Sequence, residues 1–390
     1  MGTFTYHIID LYILSAAGVF TVIQLIYYLA LYNRIHRNHV KTRKEEIHFS
    51  QELPPLSVII YAHDDSKNLS KYLPSILEQD YPLFEVIVIN EALNDDIESV
   101  LVNLAEKYPN LYHTFTPDSA LNISHKKLAL SIGIKASKYN WLVFTETNCQ
   151  PVSNQWLRLL ARNFTSHTQI VLGYSSYESI KGWKNTKISF DDLFSSIRYL
   201  GFALADLPYK GIGKNMAYRK DLFTSSKGYT EHLSLRRGED DLFINKVARK
   251  GNTRVETSAD AVIRIYDTTQ YENWKSEKLN YDFTSRFYRG IQRNLSGFET
   301  CTRLFFYAAC TIGIILSIQN MNFILAGIYI LLWLIRLTIQ MYVINKTTKD
   351  LGEKKRYYFS LPIFDFLQPI RSLKLRIHLL FTKKAEFMRR

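Results

Sequence analysis

Residues 57–90 read SVIIYAHDDSKNLSKYLPSILEQDYPLFEVIVIN. The run 56–61, Leu-Ser-Val-Ile-Ile-Tyr, is short, apolar and rich in β-branched residues, which predicts a strand. A polar turn follows, then a helical pattern through Gln79 that Pro82 breaks, then a second strand over 84–90. Beyond it, another helical stretch leads to a weaker strand near Tyr112. A helix over 126–137 then precedes the strand Trp141-Leu-Val-Phe-Thr145. Strands alternating with helices at this spacing predict βαβ units, so the class is α/β with a mainly parallel sheet flanked by helices. In such sheets ligands gather beyond the carboxyl ends of the strands. Three of those ends carry acids or amides: Ala62-His-Asp-Asp65, Asn90-Glu91 and Glu146-Thr-Asn-Cys149. Each alone reads equally well as a turn, because Asp and Asn are common turn residues. Together they mark one edge as a candidate site.

The flanks obey other rules. Residues 11–32 form an uncharged apolar run about the length of a bilayer span. Arg34, Arg37, Lys41, Arg43 and Lys44 follow it rather than precede it. That order argues against a cleaved secretory signal and for a retained anchor with residue 33 onward in the cytoplasm. Two more apolar runs, 304–318 and 322–344, are separated by a short polar link and predict a transmembrane hairpin with both ends cytoplasmic. Arg336 interrupts the second run and is expected to snorkel or to pair inside the bundle. Residues 358–381 mix apolar positions with Arg371, Lys374 and Arg376, which predicts an amphipathic interfacial helix, a fourth span being the alternative. The expected segments are thus an anchor (1–33), a basic linker (34–53), a catalytic-type α/β domain (54–292), a membrane hairpin (293–357) and a basic tail (358–390).

The formal net charge is +13. Its basic clusters border the apolar segments, so an anionic membrane surface is the expected partner and nucleic acid is not. Cys149, Cys301 and Cys310 match neither a disulfide framework nor zinc spacing. His125 and His232 lack a second ligand at metal spacing and read as surface or pocket-wall residues.

The run 57–90, together with Lys126-Lys-Leu-Ala-Leu-Ser-Ile-Gly-Ile134, Pro151, Trp156-Leu157, Gly211-Ile-Gly-Lys-Asn-Met-Ala-Tyr-Arg219 and Gly238-Glu-Asp-Asp-Leu-Phe243, resembles the family 2 glycosyltransferases of the GT-A fold. The likeness is closest to the bacterial membrane-anchored type and covers about 54–290. The resemblance implies a nucleotide-sugar donor whose pocket is lined by Ala62, Asp64, Asp65, Glu91 and Thr147, with Lys126 or Lys127 approaching it. It places Glu146 and Asn148 at the metal-binding Asp-x-Asp position and implies Mg²⁺ or Mn²⁺. Asp240, flanked by Glu239 and Asp241, falls where the family has its catalytic base. Asn215, Arg219, Trp274 and Lys278 fall in the acceptor or diphosphate region. The implied reaction is inverting, non-processive transfer to a membrane-associated glycan or lipid-linked acceptor at a bacterial inner membrane.

Two departures matter. Glu-Thr-Asn offers one carboxylate where the family offers two, which weakens a Mg²⁺ site. Glu277 and Asn280 stand where relatives often have Gln and Arg, removing a bidentate phosphate contact that Lys278 and Arg286 are candidates to replace. Without the resemblance, Glu239-Asp240-Asp241 reads as acids at a helix N-terminus, and Gly211 and Gly213 as a turn. Two alternatives therefore stay open: a degenerate subunit that scaffolds or senses nucleotide, and a processive polysaccharide synthase.

Overall fold

The structure, a computed structural model, describes residues 8–91, 95–117, 123–266, 270–382 and 387–388. The elements in chain order begin with α1 (Ile8–Ile26) and α2 (Arg34–Arg43), joined by a π-helical turn at Tyr27–Tyr32. Then β1 (Leu56–Ala62), α3 (Ser66–Leu77), β2 (Phe84–Glu91), α4 (Asp95–Lys107), β3 (Leu111–Thr116), α5 (His125–Ala136) and β4 (Trp141–Glu146) alternate as the sequence predicts. After them come β5 (Cys149–Pro151), α6 (Trp156–Ala161), β6 (Ile170–Leu172), β7 (Ser175–Tyr177), α7 (Trp183–Ala203), β8 (Met216–Arg219) and α8 (Lys220–Ser225). The domain closes with α9 (Asp241–Val247), β9 (Thr253–Val255), β10 (Ile263–Ile265) and α10 (Gln270–Thr284), and the chain continues into α11 (Ile291–Gln319), α12 (Phe323–Asp350) and α13 (Leu361–Phe381).

The main sheet has the order β3-β2-β1-β4-β8-β6-β9. The first four strands are parallel, and β8 runs antiparallel to both β4 and β6. A small second sheet, β5-β10-β7, lies beside it. The central strands are apolar throughout because both faces are covered. Ile59, Ile87 and Ile89 pack with Ala129 and Ile134 of α5. Val58, Ile60, Val86 and Val88 face the other way, onto Leu69, Leu73 and Ile76 of α3. Gly133 lets α5 press close to the sheet, since a Cβ there would stand 2.5 Å from Ile89 Cδ1.

Among the described residues three helices are long and apolar enough to cross a membrane: Ile8–Arg43, Asn294–Gln319 and Phe323–Asp350. The first is longer than the expected anchor, so the first half of the expected basic linker is helical. Arg336 is buried in the bundle and donates to Asp365 Oδ2 at 2.8 Å, and Arg303 donates to Asp365 Oδ1 at 2.8 Å. Gln24 of α1 accepts from Arg336 at 3.2 Å, so one polar cluster joins α1, α11, α12 and α13. On α13, Ile363, Phe366, Ile370, Leu373, Ile377 and Leu380 are exposed at helical spacing, while Phe364, Asp365 and Gln368 are buried. One face of α13 thus packs on the bundle and the other presents an apolar stripe.

Candidate active site

The parallel strands end on one edge, and there the polar residues collect. Ala62 ends β1 and is buried, so the backbone leaving it and the side chains after it form the rim. Asp64 lies at φ 46°, a left-handed conformation Asp tolerates better than most residues, and is exposed beside His63. Asp65 accepts from Asn68 at 2.7 Å and from the Thr147 hydroxyl at 2.5 Å, tying the β1 loop to the β4 loop. Glu91 ends β2 and holds the Nδ1 atoms of His125 and, at 3.0 Å, His63. An open cavity of about 330 Å³ over this edge is lined by Tyr61, His63, Asp65, Thr147, Asn148 and Tyr177 among others.

Lys126, Glu146, Lys214, Arg237 and Glu277 line both that cavity and a smaller adjoining one that also holds Glu239, Asp240 and Tyr281. Charges alternate across this boundary. Lys126 Nζ meets Glu146 Oε1 at 2.6 Å and Glu239 Oε1 at 2.9 Å. Lys214 pairs with Glu277 and lies 3.9 Å from Glu146 Oε2, and Arg237 lies 3.7 Å from Glu239. Burial works against charge on Lys126, but Glu146 and Glu239 outweigh it and hold the ammonium above the ordinary lysine range. Burial likewise opposes ionisation of Glu146, yet Lys126 and Lys214 keep its carboxyl well below the usual range. Three cations are thus charged and directed at one cleft.

Asp240 is placed by its backbone. Gly238, at φ +105°, makes a turn that side chains rarely adopt, and Asp240 then caps α9. Its Oδ1 accepts from Asp241 N at 2.7 Å. Its Oδ2 accepts from Gly213 N at 3.0 Å and from the Tyr281 hydroxyl at 2.6 Å. Asp241 is buried away from the cleft, accepting from Thr284 and from Tyr288 at 2.7 Å. Burial first, then the Asp240 charge, push its carboxyl up to about 7.

Several expected site residues lie elsewhere. Lys127 is fully buried and donates to the carbonyls of His232 (2.5 Å), Leu235 (3.0 Å) and Arg237 (2.9 Å). It anchors the 232–237 loop instead of approaching the donor, and burial pulls it down to about 8. Asn215 is buried, accepting from Trp156 Nε1 at 3.0 Å and donating to the carbonyls of Tyr174 and Ala261; it ties the two sheets together. Arg219 pairs with Asp221 and, in register opposite Trp141, stands at the other end of β4 from Glu146. Five strand steps of ~3.3 Å put it about 16 Å from the site edge. Asp241, as described, faces the core. Trp274 and Lys278 do line a neighbouring cavity of about 160 Å³, where Lys278 is held by Asp191.

The Glu146 and Asn148 pair does not fit a divalent cation as arranged. Both Glu146 oxygens face ammonium groups, and Asn148 Oδ1 is approached by Cys149 Sγ at 3.6 Å. Among the described residues no cluster of three or more His, Cys, Asp or Glu side chains is placed to hold a metal. Lys214, Arg237 and Tyr281 were not singled out from sequence. The signal for Lys214 was its place between Gly213 and Asn215 at a strand entry, and Arg237 and Tyr281 carried none.

The model of glycosyl transferase family 21 matches residues 19–370. The chain belongs to that family. It is an enzyme, a glycosyltransferase, so the resemblance read from the sequence holds at the level of glycosyltransferases, while the family matched is 21. Among solved structures it is similar to the mannosyltransferase PcManGT from Pyrobaculum calidifontis, solved with GDP-Man and Mn²⁺, at TM-score 0.55 and 15% identity over 89% of this chain and 100% of that one. S. aureus TarS (residues 1–349) matches at TM-score 0.41 and 14% identity over 82% and 91%. The first likeness agrees with a GT-A-like sheet in this glycosyltransferase.

Proposed function

We propose that this glycosyltransferase moves one sugar from a nucleotide-sugar donor to a hydroxyl of a membrane-associated glycan or lipid-linked acceptor, with inversion and without processivity. The observation that supports this best is the shared wall. Glu146, at the end of β4, and Asp240, at the start of α9, border one cleft, with Lys126, Lys214 and Arg237 between them. The nucleotide sits over Tyr61, His63 and Thr147, and its diphosphate lies against the three cations. Asp240 takes the acceptor hydroxyl's proton as that oxygen forms its bond to the anomeric carbon. The bond from that carbon to the diphosphate breaks, and the departing nucleoside diphosphate keeps the electron pair. The cations stabilise the charge that develops on it. The Glu146 and Asn148 pair offers Mg²⁺ or Mn²⁺ a single carboxylate that two lysines already face, so no step is assigned to a metal.

The three long apolar helices support a multi-pass protein, and the basic residues at the C-terminal end of the first of them support a cytoplasmic domain; a bacterial inner membrane is the membrane we propose. The nucleotide-sensing reading draws on the lysines that engage Glu146, and the same experiment separates it. Purified protein is given a panel of sugar nucleotides with and without Mn²⁺ or Mg²⁺, and nucleoside diphosphate release is followed. Release from one donor that is lost in Asp240→Asn supports the transferase. Nucleotide binding with no turnover on any acceptor supports the sensor.

A further inference from the structure

Resting on the reading that Arg237 meets the donor's diphosphate, we propose that Phe387 and Met388 are positioning residues. They clasp the 232–237 loop to α10 and so set Arg237 in the cleft. Both lie beyond α13 in the chain, yet both return to the catalytic domain. The Phe387 ring is buried and stacks on Phe283 of α10, with centroids 4.2 Å apart and planes 8° from parallel. Its carbonyl accepts from Arg236 N at 2.9 Å, and Met388 forms an antiparallel bridge with Leu235.

The loop is held in two ways. The start of α5 and the residue before it take its carbonyls. Lys127 Nζ donates to those of His232, Leu235 and Arg237. The Ser124 amide donates to that of Leu233 at 3.0 Å, and the Ser124 hydroxyl to that of Arg236 at 3.1 Å. The Arg236 amide has its acceptor in Phe387 instead. Arg237 comes next in the chain, lining both cavities of the site and lying 3.7 Å from Glu239.

The ring contact extends the hold to a second wall of the cleft. Phe283 follows Tyr281 by two residues on α10, the helix that also carries Glu277. Glu277 pairs with Lys214, while Tyr281 bonds Asp240 and lies 3.5 Å under the Lys210 ammonium. Phe283 and Phe387 are both buried, so their contact carries hydrophobic as well as stacking energy. One short segment thus grips the Arg237 loop through its backbone and α10 through an aromatic face.

The test reads the loop and the nucleotide separately, on full-length protein in detergent and on its variants. The first readout is amide hydrogen exchange over 232–237, compared between the intact chain and one ending at residue 386. Exchange there should rise about tenfold in the shortened chain, while β1 and β2 stay protected. The second readout is calorimetric titration with GDP and with UDP. The nucleotide that the intact chain binds should bind the shortened chain about tenfold more weakly, the size of one charge-assisted contact. Phe387→Ala should show the same loss, and it reports even where the shortened chain fails to fold. Phe387→Tyr, which keeps the ring, should bind as the unaltered protein does. So should Phe381→Ala, exposed at the end of α13. In Arg237→Gln, removing residues 387–390 should cost nothing further, which a general loosening of the domain would not produce. Unchanged exchange or affinity in the shortened chain, or an equal loss of affinity with and without Arg237, would overturn the proposal. Exchange needs no nucleotide, so its failure is distinct from failure of the transferase reading, which shows as absent nucleoside diphosphate release.

Discussion

The Tyr281 hydroxyl donates to Asp240 Oδ2 at 2.6 Å, joining α10 to the carboxylate at the mouth of α9. Residue 281 is far from 240 in the chain, so this bond orients the base only when α10 is docked. Tyr281→Phe removes the bond while keeping the ring under Lys210. Sugar transfer is expected to fall about 10–100-fold in kcat, the size of a hydrogen bond to a charged group, measured as product formed at saturating donor.

Lys214 bridges Glu146 and Glu277 at the boundary where the diphosphate is proposed to lie. Lys214→Met should lower nucleoside diphosphate release by about 10–100-fold. Removal of divalent ions with EDTA should change release in the unaltered protein by less than about tenfold. A complete loss in EDTA, restored by Mn²⁺, would show that Glu146 trades its lysines for a metal once the donor arrives.

Asp241 supplies a pH dependence whose sign is fixed. Its carboxyl is raised to about 7 in the folded chain by burial and by Asp240, against an ordinary value near ~3.9 when unfolded. Between these values the folded state binds more protons than the unfolded one. Its contribution is therefore fully present below pH ~4 and is lost as pH rises through about 7. Asp241→Asn removes that loss while keeping an oxygen for Thr284 or Tyr288. Relative to the unaltered protein, the variant should gain in melting temperature between pH 4.5 and 7.5.

How far the sequence discloses this site follows from which contacts are local. β1, β2 and β4 are legible because strands covered on both faces must be apolar, and Asp65, Thr147 and Glu146 follow because parallel strand ends point one way. Arg219 is misplaced by the same logic, since β8 runs antiparallel and its last residue reaches the opposite edge. Lys127 is misread because its neighbour Lys126 has the same charge. Only the 232–237 loop, about 105 residues away, decides which of the two is buried. Arg237 and Tyr281 owe their positions to that loop and to the docking of α10, which no local pattern encodes. The amphipathic α13 is legible, whereas the partners of Arg336 require knowing that Asp365 folds back to it.

Among the described residues Asp365 is the only carboxylate that meets both Arg303 and Arg336, each at 2.8 Å. Removing one member of a buried ion cluster costs about 3–5 kcal/mol. Asp365→Asn is thus expected to destabilise the helix bundle by that order, read as a lower melting temperature in detergent and faster proteolysis of the α12–α13 connection. Arg336→Met with Asp365→Leu should recover part of the loss.

That cluster also sets a timetable. Both arginines leave the ribosome before residue 365, at a synthesis rate of ~5–20 residues per second. For several seconds α11 and α12 carry two guanidiniums without the carboxylate they later share, Arg303 having Glu299 four residues back and Arg336 only neutral partners. Without residue 365, Arg303 keeps Glu299 of its own helix but Arg336 is left among neutral partners, so the packing of α12 depends on a carboxylate supplied later in the chain.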